Sequence, residues 1–164
     1  MIKKILVLAA LAAVVPTLAF GSLDELFGKS LVDSAGKPVA TSTLDGKIVG
    51  IYFSAHWCPP CRTFSPELVK FRNDNKSSFE VVFVSSDRTE AAQLAYMTEL
   101  KMDWPAIPFS SPKRRELGQK YEVSGIPTLI IVDSKGNLIS ANGREEVTGN
   151  PDTALATWKK SAKN

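Results

Sequence analysis

The 164-residue sequence predicts an α/β fold in which helices flank a central mixed β-sheet. Two runs predict the sheet, because residues 47–53 and 79–87 are rich in β-branched and aromatic side chains, as strands buried on both faces are. A helical segment follows each run, and this alternation is typical of α/β proteins. Since no segment has the composition of a linker, we expect a single domain.

The first 21 residues differ from the rest of the chain. Lys3 and Lys4 precede an unbroken apolar run at 5–15, and small residues follow it. Such a run is too short to span a bilayer and is typical of a secretory signal peptide. We expect cleavage after Ala19 or Gly21, which leaves 22–164 as a periplasmic or secreted domain. An uncleaved membrane anchor is the alternative.

The charge of the chain indicates no nucleic-acid partner. Without Lys3 and Lys4, the 20 Lys and Arg residues fall to 18, against 17 Asp and Glu residues. One basic cluster, 113–115, is short and suits a solvated helix face.

Short elements open the predicted domain. Residues 23–27 suit a short helix. The turn sequence "DSAG" at 33–36 lies between short runs at 31–32 and 38–40, which predicts a β-hairpin. The first buried strand follows at 47–53.

The central and C-terminal elements alternate in type. A helix at 59–73 carries Phe64, Leu68 and Phe71 on one stripe, and Thr89 can cap the next helix. The remaining predicted elements are a strand at 79–87, helices at 89–100 and 112–121, strands at 127–133 and 138–141, and a helix at 151–160.

The segment "FSAHWCPPCR", 53–62, contains both cysteines and the single histidine of the chain. It connects the first buried strand to the next helix, which places Cys58 at the helix start and Cys61 in the first turn. Helix N-terminal N–H groups stabilise a thiolate, lowering its pKa and raising its reactivity. Pro59 and Pro60 have no N–H, so the amide of Cys61 is the first backbone donor within reach of the Cys58 sulfur. We therefore expect an exposed, reactive Cys58 and a shielded Cys61.

The two cysteines also have other possible interpretations. A structural disulfide across so short a loop would remove little chain entropy. A structural zinc site usually has four ligands, whereas His56, Cys58 and Cys61 offer three. A c-type haem would require histidine where Arg62 stands. Two thiolates and a histidine could still hold copper(I), so a binding module is the alternative from another class.

Several motifs in order resemble one family. "WCPPC" after a buried strand, Pro66 inside the following helix and "GIPT" before a late strand resemble the thioredoxin superfamily. "YFSAHWCPPCR", "VVFVSSDR", "WPAIPF" and "GIPTLIIVD" are similar to its nucleoredoxin and tryparedoxin branch, from about residue 44 to 146. The resemblance implies a thioredoxin fold, to which the N-terminal hairpin is an extension.

The resemblance also implies roles for residues. Cys58 matches the nucleophilic cysteine and Cys61 the resolving cysteine, which form a redox-active disulfide. Trp57 matches the tryptophan beside the nucleophile, and the prolines at 59 and 60 shape the same loop. Pro127 matches a cis-proline that faces the sulfurs, where the backbone of Ile126 binds an extended substrate.

Some positions are less clearly assigned. Trp104 and Arg144 match features that rim the site in this branch, with core packing and a surface ion pair as respective alternatives. Tyr52 stands where thioredoxin itself carries a buried aspartate. The proton acceptor for Cys61 is therefore open between Glu80 and a water molecule.

These features together predict an exported thiol–disulfide oxidoreductase that reduces protein disulfides, acts in redox homeostasis and needs no cofactor or metal. Its expected partners are a disulfide-containing protein substrate and a membrane or exported electron donor, and we expect a monomer. Because exported compartments are oxidising, an oxidant or isomerase is the alternative within this class.

Overall fold

The computed structural model describes residues 22–162. The predicted signal segment, 1–21, lies outside the described residues. Within 22–162, no helix is both long and apolar enough to cross a bilayer.

Helices and strands follow the predicted order closely. The strands are β1 Ser30–Val32, β2 Pro38–Ala40, β3 Ile48–Ser54, β4 Phe79–Ser85, β5 Thr128–Val132 and β6 Leu138–Ser140. The helices are α1 Leu23–Phe27, α2 Pro59–Asp74, α3 Glu90–Glu99, α4 Lys113–Lys120, α5 Gly143–Gly149 and α6 Pro151–Ser161. Thr89 caps α3 as expected, because its hydroxyl accepts the Ala92 N–H at 3.1 Å.

The central sheet is mixed, in the order β4-β3-β5-β6. Strands β3 and β4 are parallel, while β5 is antiparallel to β3 and to β6. The predicted hairpin forms from β1 and β2. Ala106 bridges Val32 of the hairpin and Phe83 of β4, so the hairpin extends the β4 side of the sheet.

Strand β3 separates two apolar cores, and all seven of its residues are buried, as its sequence predicted. Ile48 and Tyr52 belong to the core beneath α2, α3 and α6. Val49, Ile51 and Phe53 belong to the core beneath α1 and α4. Burial on both faces holds the C-terminal end of β3 firmly, and the cysteine motif begins there.

Two elements were not predicted, the 3₁₀ turn Thr41–Leu44 and helix α5. Helix α5 has glycine at both ends and buries only Gly143 and Val147, so it has no apolar stripe for a sequence pattern to detect. A Cβ at Gly143 would lie 2.7 Å from Ile131 Cδ1, so glycine lets this helix pack against β5.

Candidate active site

The two cysteines lie where β3 passes into α2. Cys58 is the N-cap of α2, with an extended backbone (φ −98°, ψ 108°), and Cys61 lies in the first turn. A disulfide joins the two residues, whose Cα atoms are 5.2 Å apart. Helix α2 begins at Pro59, directly after Cys58, and continues through Pro66. The motif therefore presents its sulfurs at a helix N-terminus, where anions are stabilised.

Two backbone groups surround the Cys58 sulfur. The Cys61 N–H donates to Cys58 Sγ at 3.3 Å, as expected from the missing N–H groups of the two prolines. On the other side, the Ile126 carbonyl oxygen lies 3.9 Å from the same sulfur. The Ile126–Pro127 peptide bond is cis, as the resemblance implied. The "GIPT" segment thus lies directly against the disulfide.

The expected exposure of Cys58 is wrong for the disulfide form. Cys58 is 3% exposed and Cys61 is fully buried. Ala55, Cys61 and Ile126 pack together with Cys58 and cover it. The inequality of the two cysteines therefore lies in their backbone environments, with Cys58 outside the helix and Cys61 within it.

Trp57 provides the exposed surface beside the disulfide. Its side chain is one of the two large apolar groups that stand out in solvent among the described residues, at 60% exposure. The indole N–H donates to the Ser86 carbonyl at 3.4 Å, which ties Trp57 to the segment after β4. Pro59 and Pro60 are also exposed. An apolar rim therefore adjoins the sulfurs.

The structure does not place Trp104 at this rim. Trp104 is 2% exposed and packs edge-on against Tyr52 in the core, with ring centroids 6.5 Å apart. The expectation that it rims the site is wrong, and the core alternative is correct. Arg144, at the start of α5, is half-buried and forms no ion pair with the residues between 22 and 162.

A network of hydroxyl groups lies beneath Cys61, where an aspartate would stand in thioredoxin. Ser65 Oγ donates to the Cys61 carbonyl at 2.9 Å and lies 2.8 Å from the hydroxyls of both Tyr52 and Tyr96. Ser54 Oγ is 3.1 Å from the Tyr96 hydroxyl. Burial raises the pKa of Tyr52, so its hydroxyl stays protonated. The sequence indicated the replaced aspartate but not this network.

Glu80, the acidic candidate for the Cys61 proton, points to other partners. Both of its carboxylate oxygens accept from the buried Arg72 guanidinium, at 2.7 and 2.8 Å. Glu80 pairs with Val49 near the start of the parallel strands, whereas the cysteine motif leaves β3 at Ser54. The two positions are roughly 16 Å apart along β3, at about 3.3 Å per residue. Glu80 is therefore not positioned to accept this proton.

His56, the third possible metal ligand of the motif, lies at the loop rim and has other partners in the structure. Its Nε2 lies 2.8 Å from Glu99 Oε2, and its ring packs 5.5 Å from that of Tyr96. Its backbone N–H donates to the buried Asp87 carboxylate at 2.9 Å. Arg62 donates to the other oxygen of Glu99. Within the described part of the chain, no three His, Cys, Asp or Glu groups lie close enough to hold a metal ion.

The chain is similar to proteins of one family. A family model described as Thioredoxin-like matches residues 46–138. Nucleoredoxin from Danio rerio is 44% identical over 122 residues, which are 72% of this chain and 29% of that protein. Nucleoredoxin from Homo sapiens is 40% identical over 138 residues, 82% of this chain and 31% of that protein. This chain thus spans about a third of the length of these nucleoredoxins.

Solved structures agree with these matches. A thioredoxin from Wuchereria bancrofti superposes with a TM-score of 0.69 at 40% identity, covering 88% of this chain and 99% of that one. Tryparedoxin II from C. fasciculata superposes with a TM-score of 0.73 at 36% identity, covering 80% of this chain and 90% of that one. A tryparedoxin II has also been solved in complex with glutathionylspermidine, at a TM-score of 0.72 and 34% identity, covering 80% of this chain and 94% of that one.

Proposed function

The chain belongs to the thioredoxin-like family of oxidoreductases, in the branch of the nucleoredoxins and tryparedoxins, and on this premise we propose that it reduces protein disulfides through Cys58 and Cys61. Membership also confirms the predicted thioredoxin fold, with a mixed sheet flanked by helices. The single observation that supports the proposal most directly is the Cys58–Cys61 disulfide at the start of α2, against the Ile126 carbonyl.

The proposed reaction consists of two thiol–disulfide exchanges. The Cys58 thiolate attacks one sulfur of the substrate disulfide, and the other substrate sulfur leaves as a thiolate that takes a proton from solvent. Cys61 then loses its proton and attacks Cys58 Sγ, which releases the second substrate sulfur as a thiolate. Two electrons have passed to the substrate, and the protein holds the Cys58–Cys61 disulfide.

The residues around Cys58 favour the first exchange. The Cys61 N–H points at the sulfur and, with the N-terminus of α2, stabilises negative charge there. The backbone of Ile126 supports a substrate chain bound in extended form beside the sulfur. Trp57 adds an exposed apolar surface next to that position. Disulfides in flexible peptide segments fit this arrangement.

The proposal also covers the cellular compartment of the protein, its electron donor and the direction of electron flow. The lysines and apolar run of the first 21 residues support export, so N-terminal sequencing of exported protein should find Phe20 or Ser22 first. An exported reductase needs a membrane-bound or exported donor to reduce its disulfide again. We propose that the protein acts as a monomer. A reduction potential near roughly −270 mV would agree with a reductase, and one near roughly −120 mV would indicate an oxidant.

Trapping of the mixed disulfide tests the proposed roles. In Cys61→Ser the second exchange cannot occur, so a complex linked through Cys58 should accumulate with a disulfide substrate. The matched control Cys58→Ser should form no complex and reduce nothing.

Alkylation of the reduced protein across pH, read by peptide mass, should modify Cys58 first. If Cys61 reacts first, or both cysteines react alike at an ordinary thiol pKa, the assignment is wrong. Turnover unchanged by a chelator would exclude the copper-binding alternative.

A further inference from the structure

The side chain of Glu99 connects both flanks of the cysteine motif. Its Oε2 lies 2.8 Å from His56 Nε2, two residues before Cys58, and its Oε1 accepts from Arg62, directly after Cys61. Glu99 comes from the last turn of α3, a separate element that packs beside the motif. This bridge plays no part in the exchange steps themselves.

Two residues of helix α3 contact His56 because they lie on the same face of that helix. Tyr96 and Glu99 are three residues apart and so share one face of the helix. The Tyr96 ring packs 5.5 Å from the His56 ring, which places that ring beside the Glu99 carboxylate. The His56 backbone N–H is fixed separately by the buried Asp87 carboxylate. The loop before Cys58 is therefore held by two acidic residues from different elements.

The bridge also sets the local charge near the reactive sulfur. Arg62 lies one turn beyond Cys58, and its backbone N–H donates to the Cys58 carbonyl at 3.1 Å. Its cationic guanidinium would stabilise a Cys58 thiolate, but Glu99 neutralises it. The hydrogen bonds from Arg62 and then from His56 hold the pKa of Glu99 below its usual range. Glu99 therefore stays charged at neutral pH, and its effect is lost only as pH falls through that lowered pKa.

We propose that Glu99 sets the reduction potential of the Cys58–Cys61 couple and the thiolate fraction of Cys58 by offsetting the charge of Arg62. Reduction of the disulfide takes two electrons and, with Cys58 as thiolate, one proton. A negative charge nearby disfavours that product and keeps the couple more reducing. This inference rests on the proposed function, since it concerns the same couple. It makes Glu99 a positioning and electrostatic residue that touches neither sulfur nor substrate.

Opposite substitutions in the ion pair give the sharpest test. Glu99→Gln removes a negative charge, so the equilibrium with glutathione should shift toward reduced protein by about two- to fivefold at low salt, which is the effect of a unit charge about 8 Å away at an effective dielectric constant of about 45–80. The Cys58 ionisation constant should rise by a similar factor. Arg62→Gln removes the positive charge, so both quantities should shift by a similar factor the other way. Glu99→Gln with Arg62→Gln should return close to the wild type.

The measurement is equilibration with reduced and oxidised glutathione, followed by acid quenching and mass analysis. Two glutathione thiols reduce one protein disulfide and form one glutathione disulfide, so the equilibrium constant follows from the measured ratios. At about 29.6 mV per tenfold change, the expected shifts are about 10–20 mV in each direction. They should shrink as salt is raised, because the Debye length falls to about 8 Å at 0.15 M.

Helix α2 also contains an ion pair that serves as a matched control. Lys70 and Asp74 form an exposed ion pair of 2.6 Å near the other end of α2, so Lys70→Gln and Asp74→Asn should leave the potential unchanged. If the Glu99 bridge only held the loop in place, Glu99→Gln and Arg62→Gln would shift the potential in the same direction. That result, equal shifts in the controls, or shifts below twofold at low salt would overturn the inference. A lack of wild-type turnover would instead contradict the proposed function, and the potentials would still test Glu99.

Discussion

Replacing Glu80 by glutamine tests the conclusion that this carboxylate is an ion-pair partner in the fold and not the proton acceptor for Cys61. The Glu80 side chain is 8% exposed and that of Arg72 is 5% exposed. The two form a two-pronged hydrogen bond of 2.7 and 2.8 Å, with Lys47 Nζ at 3.7 Å from the same carboxylate. In Glu80→Gln the Arg72 guanidinium stays buried without a negative partner.

The cost follows from what remains around Arg72. Breaking a buried pair by removing one partner costs about 3–5 kcal/mol. The glutamine oxygen can still accept one of the two hydrogen bonds, so we expect about 3 kcal/mol. With a urea slope of about 1–3 kcal/mol per molar, the unfolding midpoint should fall by roughly 1–3 M. Replacing both Glu80 and Arg72 by methionine should restore most of this loss, because neither charge is then left unpaired.

The assay combines urea unfolding with Cys61 chemistry. Unfolding is followed by tryptophan fluorescence, and the pH dependence of mixed-disulfide resolution is measured on folded Glu80→Gln protein. Since Glu80 lies at the far end of the strands from the motif, that pH dependence should match the wild type. An altered pH dependence, with a stability loss below about 1 kcal/mol, would refute the reasoning and restore Glu80 as the proton acceptor.

Three further predictions concern backbone and packing. Lys101→Gly and Glu122→Gly should each stabilise the fold by about 0.5–1 kcal/mol, because these residues have φ of 56° and 50°, a left-handed conformation that glycine adopts without a steric cost from Cβ. An unchanged urea midpoint would contradict this. Gly143→Ala should destabilise by about 1–3 kcal/mol, since the new Cβ would meet Ile131; a neutral thermal melt would contradict it. Ser65→Ala should destabilise by about 1–3 kcal/mol by leaving buried hydroxyls short of partners, and an unchanged midpoint would refute that value.

Local patterns predicted most of the fold because local physics dominates there. The continuous apolar run of β3 indicated burial on both faces, and every residue of that strand is buried. Thr89 indicated the start of α3, and its side chain forms the cap. Helix α5 escaped prediction because Gly143 serves a close contact with β5, and a glycine at a helix start gives no positive signal.

The sequence predicted only those contacts of the site that join residues close together in the chain. The position of Cys58 before α2 and the Cys61 donor followed from neighbouring residues. The contact of Glu99 with His56 joins residues 43 apart, and no periodicity reports it. For the same reason the sequence left Trp104 open between the rim and the core, since only tertiary packing decides which of the two an aromatic residue faces.

The hydroxyl network beneath Cys61 determines which groups can influence the reduction potential of the Cys58–Cys61 couple. A buried carboxylate would place an ionisable group under the resolving cysteine, whereas Ser65 and Tyr52 supply only neutral hydroxyls there. Burial raises the pKa of Tyr52, so this layer stays uncharged at neutral pH. The charges nearest the motif are then the helix N-terminus, the buried Asp87 carboxylate, and the partly exposed Arg62 and Glu99. Because solvent screens exposed charges, the contribution of Arg62 and Glu99 to the potential of this couple should depend on salt.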